Sequence, residues 1–259
     1  MEFNPGFAIY PDYKNKNFIY DLDVFGPVTE KRYLNDIRKS LNNPLAVGPK
    51  VVYSIAMDVG RQKDQKDLVE RNLLFGAVQY AAGKIDQGPI RSQGHVHGFS
   101  KSSHSSTPEV YEIWEGVAII YMQEKAEVNP GRCFAVYAEV GDVVIVPPEW
   151  AHCAINASSQ LPMTFGAWCI RDYSFDYTGI RSQQGIAHFP EFTPDNRIDW
   201  KPNESYQSSK LSICQARSYP EFKLVSETPI YSQYENNPEL FRFVTNPTEY
   251  KTLWSNFEP

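Results

Sequence analysis

The sequence predicts an all-β domain of the sandwich or barrel class, because many short strand-like runs alternate with turn signals along its middle part. Four of these strand-like runs lie at residues 51–55, 73–78, 117–121 and 143–146. The chain has 259 residues, of which 42% are hydrophobic and 22% are charged, and this is enough to bury a sizeable core in one domain. The sequence shows no internal repeat, and its length does not require a second domain.

Composition changes along the chain and divides it into three parts. Residues 1–50 mix Pro and Gly with one patch of helical spacing near residues 33–41, and we predict an N-terminal arm there. Residues 51–190 form the predicted barrel, in which the charged stretch 64–71 fits a solvated loop or helix turn. Residues 191–259 alternate Pro-containing aromatic segments with polar ones, so we expect a C-terminal extension that wraps the barrel or a partner subunit.

Charge and hydropathy exclude two classes of partner. The net charge is −6, and the basic clusters at residues 38–39 and 61–63 form no stripe that would attract a nucleic acid. No apolar run approaches the ~20 residues that a membrane span requires. Residues 1–5 lack the apolar core of a signal peptide. We therefore expect a cytoplasmic protein without nucleic-acid or membrane partners.

Three histidines and one glutamate lie in two motifs that suit a metal site. His95 and His97 are one residue apart, so their rings face the same side of an extended strand. Glu109 opens a strand-like run, and Tyr111 shares its face. His152 follows a strand that ends at a pair of prolines, which would place its ring just past a strand end. Because three of the five histidines lie in these motifs, we predict one metal site.

The predicted donor set consists of three nitrogens and one oxygen, and it suits iron, manganese, zinc or nickel without choosing among them. Open coordination positions would make the site catalytic rather than structural. His104 lies in a serine-rich loop and is expected to be solvated, with the alternative that it is a further ligand or gates the site. The four cysteines show no Cys-x-x-Cys spacing and are expected to be mostly buried, reduced thiols.

Such a site suits the isomerisation of an aldose to a ketose, in which charge develops on two neighbouring oxygens that a divalent cation can hold. In that chemistry Glu109 would be a ligand and a proton carrier. Tyr111 would donate a hydrogen bond to a substrate oxygen or to phosphate. The alternative for Tyr111 is a ring that lines the barrel with a satisfied hydroxyl.

The spacing of these residues resembles the two motifs of the cupin superfamily. Residues 95–116 contain His-x-His, then a Glu followed after six residues by a Gly. Residues 141–156 contain a Gly, five residues, a Pro, and then a His followed after three residues by an Asn. The second motif departs at Glu149, where cupins commonly have glycine, and the loop within the first is longer than usual. The resemblance implies an all-β cupin double-stranded β-helix (jelly-roll) barrel with N- and C-terminal extensions and a few helices.

Within the cupins, residues from about 27 to about 190 resemble the cupin-type glucose-6-phosphate isomerases of archaea and some bacteria. The resemblance lies in seven short strings, namely Arg32-Tyr33-Leu34-Asn35-Asp36, Val51-Val52-Tyr53, Gly83-Lys84, Gly94-His95-Val96-His97, Glu109-Val110-Tyr111, Val146-Pro147-Pro148-Glu149-Trp150-Ala151-His152 and Asp176-Tyr177. It implies a metal-dependent isomerase that converts glucose 6-phosphate to fructose 6-phosphate in glycolysis and gluconeogenesis.

The resemblance also assigns roles to residues of this chain. It implies that one divalent metal ion is held by His95, His97, Glu109 and His152, while the isomerisation chemistry described above makes Glu109 and Tyr111 the predicted catalytic residues. It implies that the phosphorylated sugar is contacted by Ser92, Gly94, Tyr111 and Tyr177. Ser92 stands where the family has a threonine, and it keeps a hydroxyl donor for a phosphate oxygen.

Three positions depart from the family pattern. Val78 replaces a threonine that contacts phosphate, Cys169 replaces a tyrosine, and Phe175 replaces a histidine for which Tyr173 or Tyr177 would have to substitute. Two alternatives therefore stay open: a non-catalytic cupin that binds a sugar or metabolite, and a cupin enzyme with another substrate or chemistry, such as dioxygenation. The long arms on either side of a small barrel favour a homodimer.

Overall fold

The structure is a computed structural model that describes residues 4–259. Residues 1–3 lie outside the described residues. They belong to the predicted N-terminal arm (1–50) and to the segment (1–5) predicted to lack the apolar core of a signal peptide. Strands account for 37% of the structure and helices for 19%, so the chain is mostly β. In residues 4–259 no helix has the length and apolar character needed to cross a membrane.

Twenty strands, several of them only two residues long, make up the β structure. They are β1 Ile9–Asp12, β2 Asn17–Tyr20, β3 Val24–Phe25, β4 Glu30–Tyr33, β5 Val51–Met57, β6 Gly60–Arg61, β7 Leu73–Tyr80, β8 Lys84–Ile85, β9 Gly88–Pro89, β10 Val96–His97, β11 Glu109–Glu115, β12 Ala118–Gln123, β13 Cys133–Ala138, β14 Val143–Val146, β15 Ala151–Asn156, β16 Met163–Ile170, β17 Phe175–Asp176, β18 His188–Phe192, β19 Ile198–Pro202 and β20 Leu211–Gln215.

Six short α-helices and five 3₁₀ segments complete the described structure. The helices are α1 Leu34–Ile37, α2 Gln65–Glu70, α3 Thr178–Ser182, α4 Ile230–Asn236, α5 Arg242–Thr245 and α6 Lys251–Ser255. The 3₁₀ segments are Arg38–Ser40, Gln62–Asp64, Pro220–Phe222, Pro238–Phe241 and Pro247–Tyr250. The patch of helical spacing near residues 33–41 thus forms α1 and the 3₁₀ turn after it, and the charged stretch 64–71 contains α2.

Two sheets pack face to face and form the barrel. One has six strands in the order β14-β11-β16-β7-β5-β4, and the other has four strands in the order β15-β12-β13-β20. Side chains of both sheets share one buried cluster, in which Tyr111 and Phe165 of the first sheet join Ile120 and Val136 of the second. The predicted all-β cupin barrel with two extensions and a few helices is therefore confirmed.

The two extensions lengthen these sheets. β4, from the N-terminal part, pairs antiparallel with β5 at one edge of the six-stranded sheet. β20, from the C-terminal part, pairs parallel with β13 at one edge of the four-stranded sheet. Each extension thereby covers a strand edge that the barrel would otherwise expose.

The C-terminal helices pack on the outer face of the six-stranded sheet. Trp168 of β16 stacks on Tyr231 of α4, with ring centroids 5.5 Å apart. Phe75 of β7 meets the same tyrosine edge to face at 5.3 Å. The alternating side chains of β7 and β16 therefore serve two cores, one inside the barrel and one beneath the extension.

Candidate metal centre

The four predicted ligands come from three segments of the chain. His95 exchanges two backbone hydrogen bonds with His152, at 3.0 and 2.9 Å, and this pairing sets the two residues side by side. His97 lies on β10 opposite Phe175 of β17. Glu109 is the first residue of β11. The prediction that His152 follows a strand end is wrong in one respect: after β14 ends, the chain turns within four residues and His152 is already the second residue of β15.

These side chains converge on one small region. His95, His97, Glu109 and His152 each offer one ligand atom, and the four atoms all lie within 4.8 Å of one another. The region is well shielded from solvent, since His97 is 3% and His152 is 1% exposed. The four residues therefore form a group that could hold a metal ion.

Backbone carbonyls determine which nitrogen of two rings carries the proton. Nδ1 of His97 lies 2.9 Å from the Thr107 oxygen, and Nδ1 of His152 lies 3.0 Å from the Trp150 oxygen. A carbonyl oxygen only accepts, so each Nδ1–H donates to it, and Nε2 is the nitrogen of each ring that is left to bind a metal ion. Histidine ligands of metal ions are commonly oriented by this kind of second hydrogen bond.

Both of these Nε2 atoms face one carboxylate oxygen. Oε2 of Glu109 lies 3.1 Å from Nε2 of His97 and 3.1 Å from Nε2 of His152. Lone pairs facing a carboxylate oxygen are unfavourable unless a positive charge, either a proton or a metal ion, lies between them. Two ligands that are each ~2.1 Å from one ion at a right angle lie about 3 Å apart, so the separations suit ligands of a shared ion.

His95 supplies a further observation in favour of a metal. Its Nε2 is buried and makes no hydrogen bond within residues 4–259. Burial, with the neighbouring His152 and His97, holds the pKa of His95 well below its ordinary value. A buried neutral imidazole with an unused lone pair is the form that binds a metal ion.

Glu109 is ionised in this setting. Burial raises the pKa of its carboxyl group, but the electrostatic influence of the adjacent His152 and His97 rings outweighs burial and holds the pKa well below the ordinary value. The Tyr111 hydroxyl donates to the same Oε2 at 2.7 Å, as expected for two residues on one strand face. Burial and the nearby carboxylate raise the pKa of Tyr111 well above its ordinary value, so the phenol stays protonated.

A cavity lies next to this group. All four residues predicted to contact the sugar line it, namely Ser92, Gly94, Tyr111 and Tyr177. Gly94 has a φ of +90°, and a Cβ there would lie 3.3 Å from the Ile186 side chain, so glycine suits the position on both counts.

The three positions that depart from the family pattern line the same cavity. Val78, Cys169 and Phe175 give part of its wall an apolar surface. The Phe175 ring packs against His95, with centroids 4.3 Å apart, and against Tyr173 at 5.0 Å. The substitutions therefore act directly on whatever the cavity binds.

Other lining residues were not assigned a role from the sequence. They are Arg32, Tyr53, Tyr80 and Gln93. The alternating pattern of β5 and β7 could have placed Tyr53 and Tyr80 on inward faces, where they stack with centroids 5.0 Å apart. No local pattern links the arginine of β4 to the cavity, because the contact depends on how the N-terminal extension pairs with β5.

The remaining histidines lie outside the group. His104 is exposed, as expected of its serine-rich loop. His188 is buried on β18, which pairs with β19 in a separate sheet, and it lies 3.3 Å from the Tyr121 hydroxyl and 3.1 Å from the Ser209 oxygen. Cys133, Cys153 and Cys169 are buried and Cys214 is half-buried, and all four are free thiols.

Comparison with known proteins gives a family match over most of the barrel. A family model described as "Glucose-6-phosphate isomerase (GPI)" matches residues 38–208. The putative glucose-6-phosphate isomerase 1 of Rhizobium meliloti is 26% identical over 132 residues, which cover 50% of this chain and 55% of that protein. The glucose-6-phosphate isomerase of Thermococcus litoralis is 28% identical over 140 residues, which cover 54% and 65%. The chain thus spans between half and two thirds of the length of these relatives.

Solved structures resemble the chain more distantly. Vicilin from Corylus avellana has a TM-score of 0.36 and 11% identity over 50% of this chain and 33% of that chain. Oxalate decarboxylase from Bacillus subtilis has a TM-score of 0.34 and 16% identity over 50% of this chain and 28% of that chain. At these values the similarities carry no information about ligands or activity.

Proposed function

This chain belongs to the cupin-type glucose-6-phosphate isomerase family, and from that premise we propose that it is a metal-dependent aldose–ketose isomerase that interconverts glucose 6-phosphate and fructose 6-phosphate. One observation carries the proposal: three imidazoles and a carboxylate converge beside a cavity that is lined by hydroxyl groups. His95, His97, Glu109 and His152 would hold the ion. The metal can be iron, manganese, zinc or nickel, because the donor set suits each of them.

A bound divalent cation would polarise two neighbouring oxygens of the sugar and stabilise the negative charge that develops on them. The chain's own residues handle the proton. Glu109 is ionised and can accept a proton from a sugar carbon or hydroxyl. Tyr111 keeps its proton and can donate a hydrogen bond to a sugar oxygen.

Hydroxyl groups around the cavity support a sugar as the ligand. Four tyrosines line the cavity, of which three are buried (Tyr53, Tyr80 and Tyr111) and one is half-buried (Tyr177). The Ser92 hydroxyl accepts a hydrogen bond from the Ala154 N–H at 3.2 Å and keeps its own proton to donate. Each of these groups both donates and accepts, as sugar hydroxyls do. The aromatic faces can also pack on the carbon side of a sugar.

The apolar wall favours a second candidate function. Val78, Cys169 and Phe175 supply no strong hydrogen-bond donor where the family has hydroxyl and imidazole groups. On this alternative the chain is a cupin that binds a sugar or metabolite without converting it, or an enzyme that acts on a less polar substrate. Only the first candidate function predicts conversion of glucose 6-phosphate to fructose 6-phosphate.

A coupled assay for fructose 6-phosphate formation from glucose 6-phosphate tests the proposal. The protein is stripped of metal and then supplied separately with iron, manganese, zinc or nickel. We expect turnover to return with at least one metal and to be absent in the stripped protein. Metal binding without turnover under any of the four conditions would contradict the isomerase proposal and favour the second candidate.

We also propose that the protein is a homodimer. The support is the length of the two extensions around a small barrel. Light scattering coupled to gel filtration should give a mass near twice the 29.6 kDa of one chain. A mass near that of one chain would contradict this proposal and leave the isomerase proposal unaffected.

A further inference from the structure

Two arginines lie at or beside the cavity. Arg32 of β4 lines it, and its side chain is 26% exposed. Arg181 of α3 donates from Nε to Oε1 of Gln93 at 2.9 Å, and its guanidinium carbon lies 4.9 Å from the centre of the Tyr177 ring. Gln93 and Tyr177 themselves line the cavity, so both arginines lie at its edge.

The charge of Arg181 is not neutralised by the protein. Within residues 4–259 no carboxylate lies within ion-pair distance of it, and its two terminal nitrogens make no hydrogen bond. Arg32 forms an ion pair with Glu30, whose side chain is 61% exposed. An ion pair with an exposed partner contributes little to the stability of the protein, so an anionic ligand can displace the Glu30 carboxylate from Arg32 at a small cost in free energy.

Both arginines act on the same tyrosine. Burial raises the pKa of Tyr177, and the positive charges of Arg32 and Arg181 oppose that rise. Arg181 lies against the Tyr177 ring and Arg32 lines the same cavity as Tyr177, so both positive charges lie on this side of the cavity. The backbone N–H groups of Gln93 and Gly94 make no hydrogen bond within the described residues, and they add two donors at the same edge.

The interior of the cavity offers no comparable charge. Its wall at Val78, Phe165 and Ala167 is apolar, and a phosphate placed against it would lose hydration without compensation. A guanidinium group, in contrast, can bind a phosphate through two parallel hydrogen bonds. A sugar phosphate would then lie with its reacting carbons near the metal group and its phosphate at the arginine side.

We propose that Arg181 and Arg32 form an anion-binding subsite that holds the phosphate monoester of the sugar and determines the preference for phosphorylated substrates. The proposal rests on the proposed function in one respect, because it assumes that a sugar phosphate is the ligand. The binding step can nevertheless be measured without turnover.

Calorimetric titrations with glucose 6-phosphate, glucose and inorganic phosphate test the subsite. They use the full-length protein loaded with the metal that supports turnover, or with manganese if none does. The variants are Arg181→Gln, Arg181→Lys and Arg32→Gln. Arg197→Gln is the matched control, because Arg197 is exposed, pairs with Asp195 and lies on the turn between β18 and β19 away from the cavity.

We expect Arg181→Gln to raise the Kd for glucose 6-phosphate and inorganic phosphate at least tenfold, with metal content unchanged. Arg32→Gln should weaken both ligands by a smaller factor, because Glu30 already shares its charge. Arg181→Lys should recover part of the affinity, and Arg197→Gln should bind like the wild type. In the coupled assay, Arg181→Gln should raise KM and leave kcat within about threefold.

Three outcomes separate the two proposals. Unchanged affinity of Arg181→Gln for glucose 6-phosphate overturns the subsite even if the protein is an isomerase. Wild-type protein that binds glucose 6-phosphate no more tightly than glucose overturns it as well. Phosphate binding that Arg181→Gln abolishes, in a protein without turnover, supports the subsite and contradicts the isomerase proposal.

Discussion

At the scale of single residues, His152 tests the candidate metal centre most directly. Its Nε2 faces Glu109, and its backbone is paired with that of His95. We therefore expect no neighbouring side chain to take the place of this ring as a metal ligand. We expect His152→Ala to lose at least 100-fold in metal affinity, measured by calorimetry and by metal content after dialysis.

His104→Ala is the matched control for this variant. It also removes one imidazole, but His104 is exposed and lies outside the group of four. Its metal content should equal that of the wild type. Equal metal affinity of His152→Ala and His104→Ala would mean that the four residues do not hold the ion.

Glu149 is a residue whose backbone conformation favours glycine. It is exposed, has a φ of +72° and donates its N–H to Oγ of Ser106 at 2.9 Å. A left-handed conformation costs a residue with a Cβ roughly 1 kcal/mol relative to glycine. We therefore expect Glu149→Gly to raise the free energy of unfolding by up to about 1 kcal/mol in urea denaturation.

Glu139→Gly provides the comparison for this substitution. Glu139 is an exposed glutamate in the preceding turn and does not have a positive φ. Glycine there adds only flexibility to the unfolded chain, so the variant should be destabilised. If Glu149→Gly is destabilised as much as Glu139→Gly, the strain argument is wrong.

At the scale of secondary-structure elements, one buried carboxyl group joins the barrel to the C-terminal extension. Glu112 of β11 is 1% exposed. It accepts hydrogen bonds from the N–H of Ile230, the first residue of α4, at 2.7 Å and from the Trp114 indole at 3.0 Å. Burial raises the pKa of Glu112 to about 8, because the two hydrogen bonds only partly compensate the loss of water.

This raised pKa predicts how stability depends on pH. Between the ordinary pKa near 4.5 and the folded value near 8, the folded state holds a proton that the unfolded state has released. The contribution of Glu112 to the free energy of unfolding is therefore largest below pH 4.5 and falls as the pH rises, by at most ~1.4 kcal/mol per pH unit. Urea denaturation at pH 5, 6, 7 and 8 should show this slope.

Glu112→Gln should flatten the slope, because the amide does not titrate. It should also lower stability at pH 5 by about 1 kcal/mol, since the amide has only one oxygen for two donors. Glu115→Gln, an exposed residue of the same strand, should keep the wild-type slope. An unchanged slope in Glu112→Gln would show that another group is responsible.

The barrel strands and the four candidate ligands could be predicted because their signals are local. His95 and His97 need only the two-residue period of a strand, and Glu109 begins a run that is strand-like on its own. The position of His152 within β15 was missed because the pair of prolines marks the end of β14, whereas the short run that follows was not recognised as a new strand.

Contacts between distant parts of the chain could not be predicted. Arg32 and Tyr53 reach the cavity through the pairing of β4 with β5, and Arg181 reaches it through a hydrogen bond with Gln93, 88 residues earlier. Glu112 meets Ile230 across 118 residues. Such contacts depend on how elements pack together, and no single segment encodes them.

At the scale of the whole molecule, the candidate ligands join the two sheets of the barrel. Glu109 belongs to the six-stranded sheet and His152 to the four-stranded sheet, while His95 and His97 lie in the segment that crosses between them. An ion held by all four would bind the folded state and not the unfolded one. Its binding free energy would therefore add to the stability of the entire barrel.

The expected size of this effect follows from mass action. Free metal at 100 times its Kd stabilises the folded state by about 2.7 kcal/mol. For a chain of this length, where 1 kcal/mol shifts Tm by roughly 2–4 °C, metal should raise Tm by about 5–10 °C. Thermal unfolding of the stripped protein, with and without each metal, measures the shift, and a chelator should reverse it.

His152→Ala distinguishes this effect from metal binding elsewhere. Because the variant keeps every other histidine, cysteine and carboxylate, a surface site would raise its Tm as in the wild type. Loss of the shift in His152→Ala, together with its retention in His104→Ala, would show that the ion stabilises the fold by joining the two sheets. A shift that persists in His152→Ala would mean that the stabilising ion binds at another site, and then the four converging side chains would need a different explanation.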